Sequence, residues 1–466
     1  MTNLFQTKKN APFVQHNDDE SIYYISADEV NKYLPHYSLK EAEKRFEELC
    51  EEIVKSGRLK KLQKKGYFLV QCVLEELFWD YCFNIVKYKE FINEHGLDVK
   101  VRVASYWKIN GLLRVKRWFE PDGIIETIKT YLRIPIFILY ICFTFLYGKK
   151  NRVWVDAALK DFRYSKLQIP DSAFIILNRL SCVWGRKKAA NNILDAIEGI
   201  INKKTCMWWL WVIAIKLLKP TKIIVKDNLF PNSALLVAAK ITGCEIIGVA
   251  HGSIPKYCKG MYGIKALRGY LNLKYDRYYV WDEVFKKQLI KYGHIYNEDE
   301  IAVAGWLQTF SYQPSKRLSN KYVLYPYEHF TDFINISQCV TDFINLGYEV
   351  VIKSRPSMIH FPTFGLNNDI IWVNDYKQEH IDNAVCALAT NTTMSFDLCN
   401  TNLPVLIPRE NGYLLLDNKQ VENFIYFDRS ELKDIDKLLK RYDERKSWKT
   451  TDISNAFLAE FSSCYS

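Results

Sequence analysis

The sequence predicts an α/β protein built of two Rossmann-like domains facing across a cleft, and three observations carry that expectation. From Lys222 onward, short β-branched runs alternate with helical segments closed by glycine, the rhythm of parallel strands joined by crossover helices. That rhythm breaks once, in the polar stretch Gln308–Asn320 with Pro314 inside it, and then restarts. A chain of 466 residues also exceeds what one ordinary core accommodates. The expected division is residues 1–307 with additional N-terminal helices, a linker at 308–320, and a second Rossmann-like domain at 321–466.

In chain order, Met1–Glu20 is polar and carries no secretory signal. Ser38–Val54 reads as a helix, because Ser38 and Glu41 form a capping-box pair and Ala42, Phe46, Leu49 and Ile53 follow at helical spacing. A basic run, Arg58–Lys65, reads first as a solvated face and second as a contact for acidic lipid or polymer. Phe68–Asn93 reads as a long aromatic-rich helix stopped at Gly96, followed by a strand at Val99–Ala104 and a basic cluster at Arg114, Lys116 and Arg117. Val153–Val155 and Phe174–Leu177 are candidate strands, with a helix at Asn191–Ile201.

Lys222–Lys256 reads as one βαβ unit. Ile223–Val225 is a strand, Asn232–Lys240 a helix ended by Gly243, and Cys244–Ala250 a second strand that runs into His251-Gly252. A ring that titrates near neutrality, at the carboxyl end of a parallel strand, sits where open α/β sheets place chemistry. The ordinary alternative is a loop histidine beside a turn glycine. Strand Arg277–Trp281, helix Glu283–Tyr292 and strand Ile301–Ala304 continue the pattern. The second half reads as strand Tyr322–Tyr325, helix Asp332–Leu346, strands Glu349–Lys353 and Ile370–Val373, strand Val385–Ala389, helix Met394–Asn400, strand Pro404–Ile407 and a last amphipathic helix over Ser430–Tyr442.

Composition narrows the classes. With 48% hydrophobic and 25% charged residues the chain is globular, and its formal charge of +11 favours anionic partners. The basic residues are dispersed and no standard nucleic-acid motif is present, which argues against a nucleic-acid partner. Twelve cysteines without CxxC or zinc spacing suggest free thiols in a reducing, cytoplasmic setting. Two apolar runs, Ile134–Tyr147 and Cys206–Leu218, fall short of the ~20 residues that a spanning helix needs. Both read first as buried helices; their basic flanks make association with the inner face of the cytoplasmic membrane the second reading.

Candidate binding residues lie between strands and helices of the second half. Thr392 and Thr393 sit before helix Met394–Asn400, where hydroxyls and free backbone N–H groups converge on an anion, although simple N-capping would use them equally well. Lys353 and Arg355 end a neighbouring strand, and arginine grips phosphate bidentately, the alternative being a surface ion pair. Asp397 falls near the first turn of that helix, where an acid is favoured by the dipole anyway. Asp227 ends the preceding strand of the first half, as a candidate catalytic group or as a turn-former before Asn228. No metal site is expected, since the single Asp-x-Asp, Asp434-Ile435-Asp436, lies among lysines on an amphipathic helix.

Three segments carry a family resemblance. His251-Gly252-Ser253-Ile254-Pro255-Lys256 resembles the HGTPLK-type segment of the CDP-glycerol glycerophosphotransferases of teichoic acid synthesis; Lys353-Ser354-Arg355-Pro356 falls where that family shows a basic residue, any residue, then His-Pro; Thr392-Thr393-Met394-Ser395-Phe396-Asp397 resembles its SSxxFD segment. In this order the chain is similar to those enzymes and to the bacterial capsule-polysaccharide transferases, within the GT-B class of two-domain glycosyltransferases, over roughly Lys222–Pro408. The sequence departs from the pattern at Arg355, which replaces the family His, and at Thr390, which stands in place of an acidic residue.

The resemblance implies transfer from a nucleotide-activated sugar to a hydroxyl of a glycan or lipid-linked glycan acceptor, without cofactor or metal. The N-terminal domain would hold the acceptor and the C-terminal domain the donor. His251 would be the base, with Asp227 as a second catalytic candidate. Gly252, Ser253, Lys256, Lys353, Arg355, Thr392, Thr393, Ser395 and Asp397 would bind substrate. A glycerol-phosphate transferase using CDP-glycerol is the alternative chemistry, and a membrane-surface scaffold without catalysis is the alternative class.

Overall fold

In a computed structural model, the described residues are 153–156, 208–226, 229–250, 274–292, 296–307, 312–326, 333–353, 369–389, 394–409, 424–442 and 451–462, with isolated short segments elsewhere. Helix Ser38–Val54 and the expected elements over residues 69–104 and 191–201 fall almost wholly outside them. Two antiparallel pairs are described toward the N-terminus: β1 (Val14–His16) with β2 (Ile22–Tyr24), and β3 (Gln63–Lys64) with β4 (Tyr67–Phe68). Tyr67–Phe68 is thus a strand where a helix was expected to begin at Phe68.

The first large sheet has six strands, all parallel: β5 (Val153–Asp156), β6 (Phe174–Ile175), β7 (Lys222–Lys226), β8 (Glu245–Val249), β9 (Arg277–Val280) and β10 (Ile301–Val303). Their order is β10-β9-β8-β7-β5-β6. Ile223, Ile224 and Val225 are each 0% exposed, which is why β7 reads as an unbroken β-branched run rather than an alternating one. Gly248 is required in β8 because a Cβ there would lie 2.2 Å from the ring of Tyr275. Helices α1 (residues 208–218), α2 (Leu229–Thr242) and α3 (Glu283–Tyr292) belong to this half.

The second sheet also has six parallel strands: β11 (Tyr322–Pro326), β12 (Glu349–Lys353), β13 (Ile370–Val373), β14 (Ala384–Leu388), β15 (Val405–Pro408) and β16 (Phe424–Phe427), in the order β13-β12-β11-β14-β15-β16. Numbered from β11, this is third-second-first-fourth-fifth-sixth, the Rossmann order. Helices α4 (Phe333–Asn345), α5 (Gln378–Asp382), α6 (Met394–Cys399) and α7 (Ile435–Leu439) accompany it. Alternation divides its residues. Val323, Tyr325, Val350, Ile352, Cys386 and Leu388 form one buried cluster with Ile336, Val340 and Phe343 of α4, while Leu324, Val351 and Ala387 belong to the cluster that continues into the first sheet. Two Rossmann-like sheets are therefore the architecture, as expected.

Several boundaries differ from the sequence reading. Ser430–Tyr442 is not one helix but a 3-10 segment, Arg429–Asp434, followed by the five-residue α7. Asp434 caps α7 by accepting from the Lys437 amide at 3.1 Å. Nor is it the last helix: α8 (Asn455–Ala459) follows, capped by Ser454.

The chain's final described stretch leaves the second sheet and packs on the first. The Trp306 amide donates to the Thr451 carbonyl at 2.9 Å, and the Ser454 amide to the Ala304 carbonyl at 2.8 Å. Gly305 makes the approach possible: its φ is +89, and a Cβ would meet the Asp452 carbonyl oxygen at 2.2 Å. Phe457 packs on Tyr279 at 4.8 Å between ring centroids. Glu460, buried at 5% exposure, accepts from the Tyr279 hydroxyl at 2.7 Å and from Arg277 at 3.0 Å, and pairs with Lys222. Burial works to raise its pKa, yet the Lys222 ammonium and the Tyr279 hydroxyl outweigh that and hold the carboxyl below its usual range.

Candidate functional site

Open α/β sheets bind ligands beyond the carboxyl ends of their strands, where the strand order reverses. In the first sheet the reversal falls between β5 and β7, and in the second between β11 and β14.

At the first reversal β5 ends on Asp156, a carboxylate only 1% exposed at the rim of the sheet. Strand β7 ends at Lys226, and Asp227 lies outside the described residues. The backbone leaving β8 is fixed up to Ala250, whose amide donates to the Tyr279 carbonyl at 2.8 Å and whose carbonyl accepts from the Trp281 indole at 2.6 Å. Gly252 is a buried bend two residues on, whereas His251, Ser253 and Lys256 lie outside the described residues.

One strand away from the second reversal, Lys353 is the last residue of β12 and its ammonium lies 2.8 Å from the Asp375 carboxylate. That carboxylate also accepts from the Tyr312 hydroxyl and, at 2.9 Å, from the Tyr376 amide. Burial would raise the Asp375 pKa, but Lys353 and Tyr312 hold it below the usual carboxylate range. Tyr312 is pushed the other way, by burial first and then by the charges of Asp375 and Asp397, so it stays a protonated donor at neutral pH. Lys353 is therefore part of an ion pair, the alternative weighed for it in the sequence. Arg355, Thr392 and Thr393 lie outside the described residues.

Ser395 and Asp397 stand on α6, 0% and 4% exposed respectively. The Ser395 hydroxyl oxygen has no hydrogen-bond partner among the described residues. Between them, Phe396 points into a ladder of rings that crosses from one sheet to the other. It lies 5.3 Å from Phe285 and 5.6 Å from Trp306, Trp306 lies 4.8 Å from Trp281, and Trp281 holds the Ala250 carbonyl. The segment that opens into His251 and the segment that carries Ser395 and Asp397 thus share one apolar seam.

Three members of this region escaped the sequence reading. Asp156 was legible, as an acid closing a Val-Trp-Val strand before the first crossover. Asp375 sits in an ordinary-looking Asn-Asp-Tyr turn, and Tyr312 in a stretch read only as linker; nothing local marks either. That linker is in fact laid against the second sheet's half, with the Ser315 amide donating to Thr401 at 2.8 Å and the Leu318 amide to Asp382 at 2.7 Å.

No protein-family model and no curated protein matches the chain. Solved structures with a similar course of the chain include MnaA of S. aureus with UDP, at 16% identity over 56% of this chain and 76% of that one, TM-score 0.37. A UDP-N-acetylglucosamine 2-epimerase from Listeria monocytogenes is similar at 12% identity over 66% and 84%, TM-score 0.42. The calicheamicin glycosyltransferase CalG4 is similar at 10% identity over 67% and 85%, TM-score 0.38. At such scores these likenesses add nothing to the architecture already given by the strand order.

Proposed function

We propose that the chain is a glycosyltransferase that moves a sugar from a nucleotide-activated donor to a hydroxyl of a bacterial surface polysaccharide precursor, of the capsule or lipopolysaccharide kind. The observation that carries the reading is the shared seam. Ala250, which leads into His251, and α6, which carries Ser395 and Asp397, flank one ladder of rings joining the carboxyl-end regions of two Rossmann-like sheets.

In this reading the second sheet holds the donor. The Ser395 hydroxyl and the Asp397 carboxylate, both buried, suit the hydroxyls of a ribose or sugar rather than a phosphate, since an acid repels a second anion. Arg355, Thr392 and Thr393 take the nucleotide phosphates and stabilise the departing charge. Lys353, already paired, orients Asp375 and Tyr312 and contributes less to phosphate than its position suggests. His251 accepts the proton of the acceptor hydroxyl, the general-base role for which an imidazole is suited. Asp156 and Asp227 are the acids that the first reversal offers to orient it.

The test is thermal stabilisation across CMP, CDP, UDP and GDP, because a ligand that binds only the folded state raises its midpoint. One nucleoside diphosphate is expected to stand out. Preference for CDP, with glycerol phosphate transferred from CDP-glycerol, would favour the glycerophosphotransferase alternative. No response to any of the four would remove the donor site. His251→Ala should lose about 10²–10⁴-fold in turnover while keeping nucleotide binding; loss of both would make His251 structural.

A further inference from the structure

Asp375 is held by one of its two carboxylate oxygens only. Its Oδ1 meets the Lys353 ammonium at 2.8 Å and accepts from the Tyr312 hydroxyl and, at 2.9 Å, from the Tyr376 amide. Among the described residues no donor meets its Oδ2, and the side chain is 63% exposed. Three donors on one atom fix the carboxylate, so the second oxygen stands as an oriented acceptor with its lone pairs unused. An ammonium carries three donors, and among the described residues Asp375 is the one side-chain partner of the Lys353 ammonium.

We infer that Asp375 and Lys353 together bind a hydroxyl of the ligand in the donor site, Oδ2 accepting from its O–H and the ammonium donating to its oxygen. This deepens the donor reading proposed above and rests on it. A hydroxyl is the group that both donates and accepts at a single atom, as a carboxylate and an ammonium side by side require. A ligand phosphate would meet the negative Oδ2, and a metal cation would meet the Lys353 ammonium on the same carboxylate. A nucleobase needs rings free to cover its faces, and the adjoining Tyr312 and Tyr376 are both buried. Burial would raise the Asp375 pKa, but Lys353 and Tyr312 outweigh it, so the carboxylate is an acceptor at neutral pH. Position agrees. Lys353 ends β12 and Asp375 follows β13 by two residues, at the edge of the parallel sheet from which β14 leads to Ser395 and Asp397 on α6. Strands β12 and β14 are two spacings apart, about 10 Å, a span that a ribose and the group attached to it can bridge.

The experiment is calorimetric titration of wild type, Asp375→Asn and Asp375→Ala, as full chains. The ligands are CDP, UDP and GDP, their 2′-deoxy and 3′-deoxy counterparts, UDP-glucose and GDP-mannose. Asparagine keeps the shape, and its carbonyl belongs under the three donors, so its NH₂ group turns the open acceptor into a donor. Both variants should bind about tenfold or more weakly, the strength of a hydrogen bond to a charged group. Removing the recognised hydroxyl from the ligand should cost wild type the same factor and the variants almost nothing. A loss with nucleoside diphosphates that vanishes for one deoxy counterpart puts the hydroxyl on the ribose. A loss confined to the nucleotide sugars puts it on the sugar. Variants that bind every ligand as tightly as wild type overturn the inference and leave the donor reading standing. So does an equal loss for all ligands, which would make Asp375 structural, and so does a loss confined to one base, which would assign it to the base. Tighter binding by Asp375→Ala also overturns it, since the carboxylate would then be screening Lys353 from phosphate. A wild type that binds none of the ligands removes the donor reading and this inference together.

Discussion

The two sheets use the same parts and achieve different degrees of independence. The second is closed by its own sequence: α4 and α7 cover one side, and the linker from Tyr312 onward is hydrogen-bonded to its α5 and its loops. The first is completed by residues that lie 150 or more positions away, with Ser454 bonded to Val303 and Glu460 to Tyr279. The cations at the amino ends of its strands, Lys222 and Arg277, find their carboxylate there. What the contrast teaches is that domain in sequence and domain in space differ here by one segment. A division at the linker separates the sheets but takes the first sheet's final layer with the second.

The strongest way to break the contrast is at the seam both sheets share. Phe396 is 1% exposed and touches Phe285, Trp306 and Phe424, so Phe396→Ala should cost about 3–5 kcal/mol in chemical denaturation. A loss below about 1 kcal/mol would mean that the sheets do not stabilise one another through this ring.

Next in size, Gly305→Ala should detach the returning segment. The added Cβ meets the Asp452 backbone, and the clash comes on top of the about 1–2 kcal/mol that a left-handed conformation costs an alanine. Faster amide exchange at residues 451–461 and in β9, with β11–β16 unaffected, is the expected signature. Uniform acceleration in both sheets would deny the second its independence.

Glu460→Gln removes the charge and keeps the shape. Breaking a fully buried pair costs about 3–5 kcal/mol, and because Arg277 is half exposed we expect about 2 kcal/mol. The pH dependence has a definite sign. Folding favours the ionised carboxylate, so its contribution is complete above the unfolded glutamate pKa of about 4.3 and is lost as pH falls through the lower folded value. Wild type and Glu460→Gln should therefore converge in stability only under acid; a gap that persists there would remove the charge from the explanation.

The smallest effect is expected at Tyr312→Phe, which takes one hydrogen bond from Asp375 and should cost about 1 kcal/mol. Nucleotide affinity, if it shifts at all, should shift less than for Arg355→Ala. The reverse ranking would make the Lys353–Asp375–Tyr312 group the principal ligand.

Why was so much of the fold legible, and so little of the site? Strands buried on both faces announce themselves by composition, as Ile-Ile-Val in β7 and Val-Val-Ile in β12 do, and helices between them are bracketed by glycines. Local pattern fixes such elements. The 430–442 region misled because its apolar spacing fits a helix, while Asp428 and Asp434 each cap a new start and divide it. The C-terminal return left no trace in periodicity, since what holds it is a steric opening at Gly305 and a charge match to Glu460, both set by residues far apart in the chain. The same holds for Asp375: its role is set by Lys353 and Tyr312, brought to it by tertiary contact alone.

The return of residues 451–461 has a consequence for biosynthesis. As the chain leaves the ribosome, β5 to β10 are available long before the residues that cover Tyr279 and neutralise Lys222 and Arg277. Among the described residues, the second sheet's own buried cluster is complete once Tyr442, three residues past α7, has been made. The half synthesised first is therefore finished last, and in the interval its uncovered apolar surface is open to chaperones and to neighbouring nascent chains.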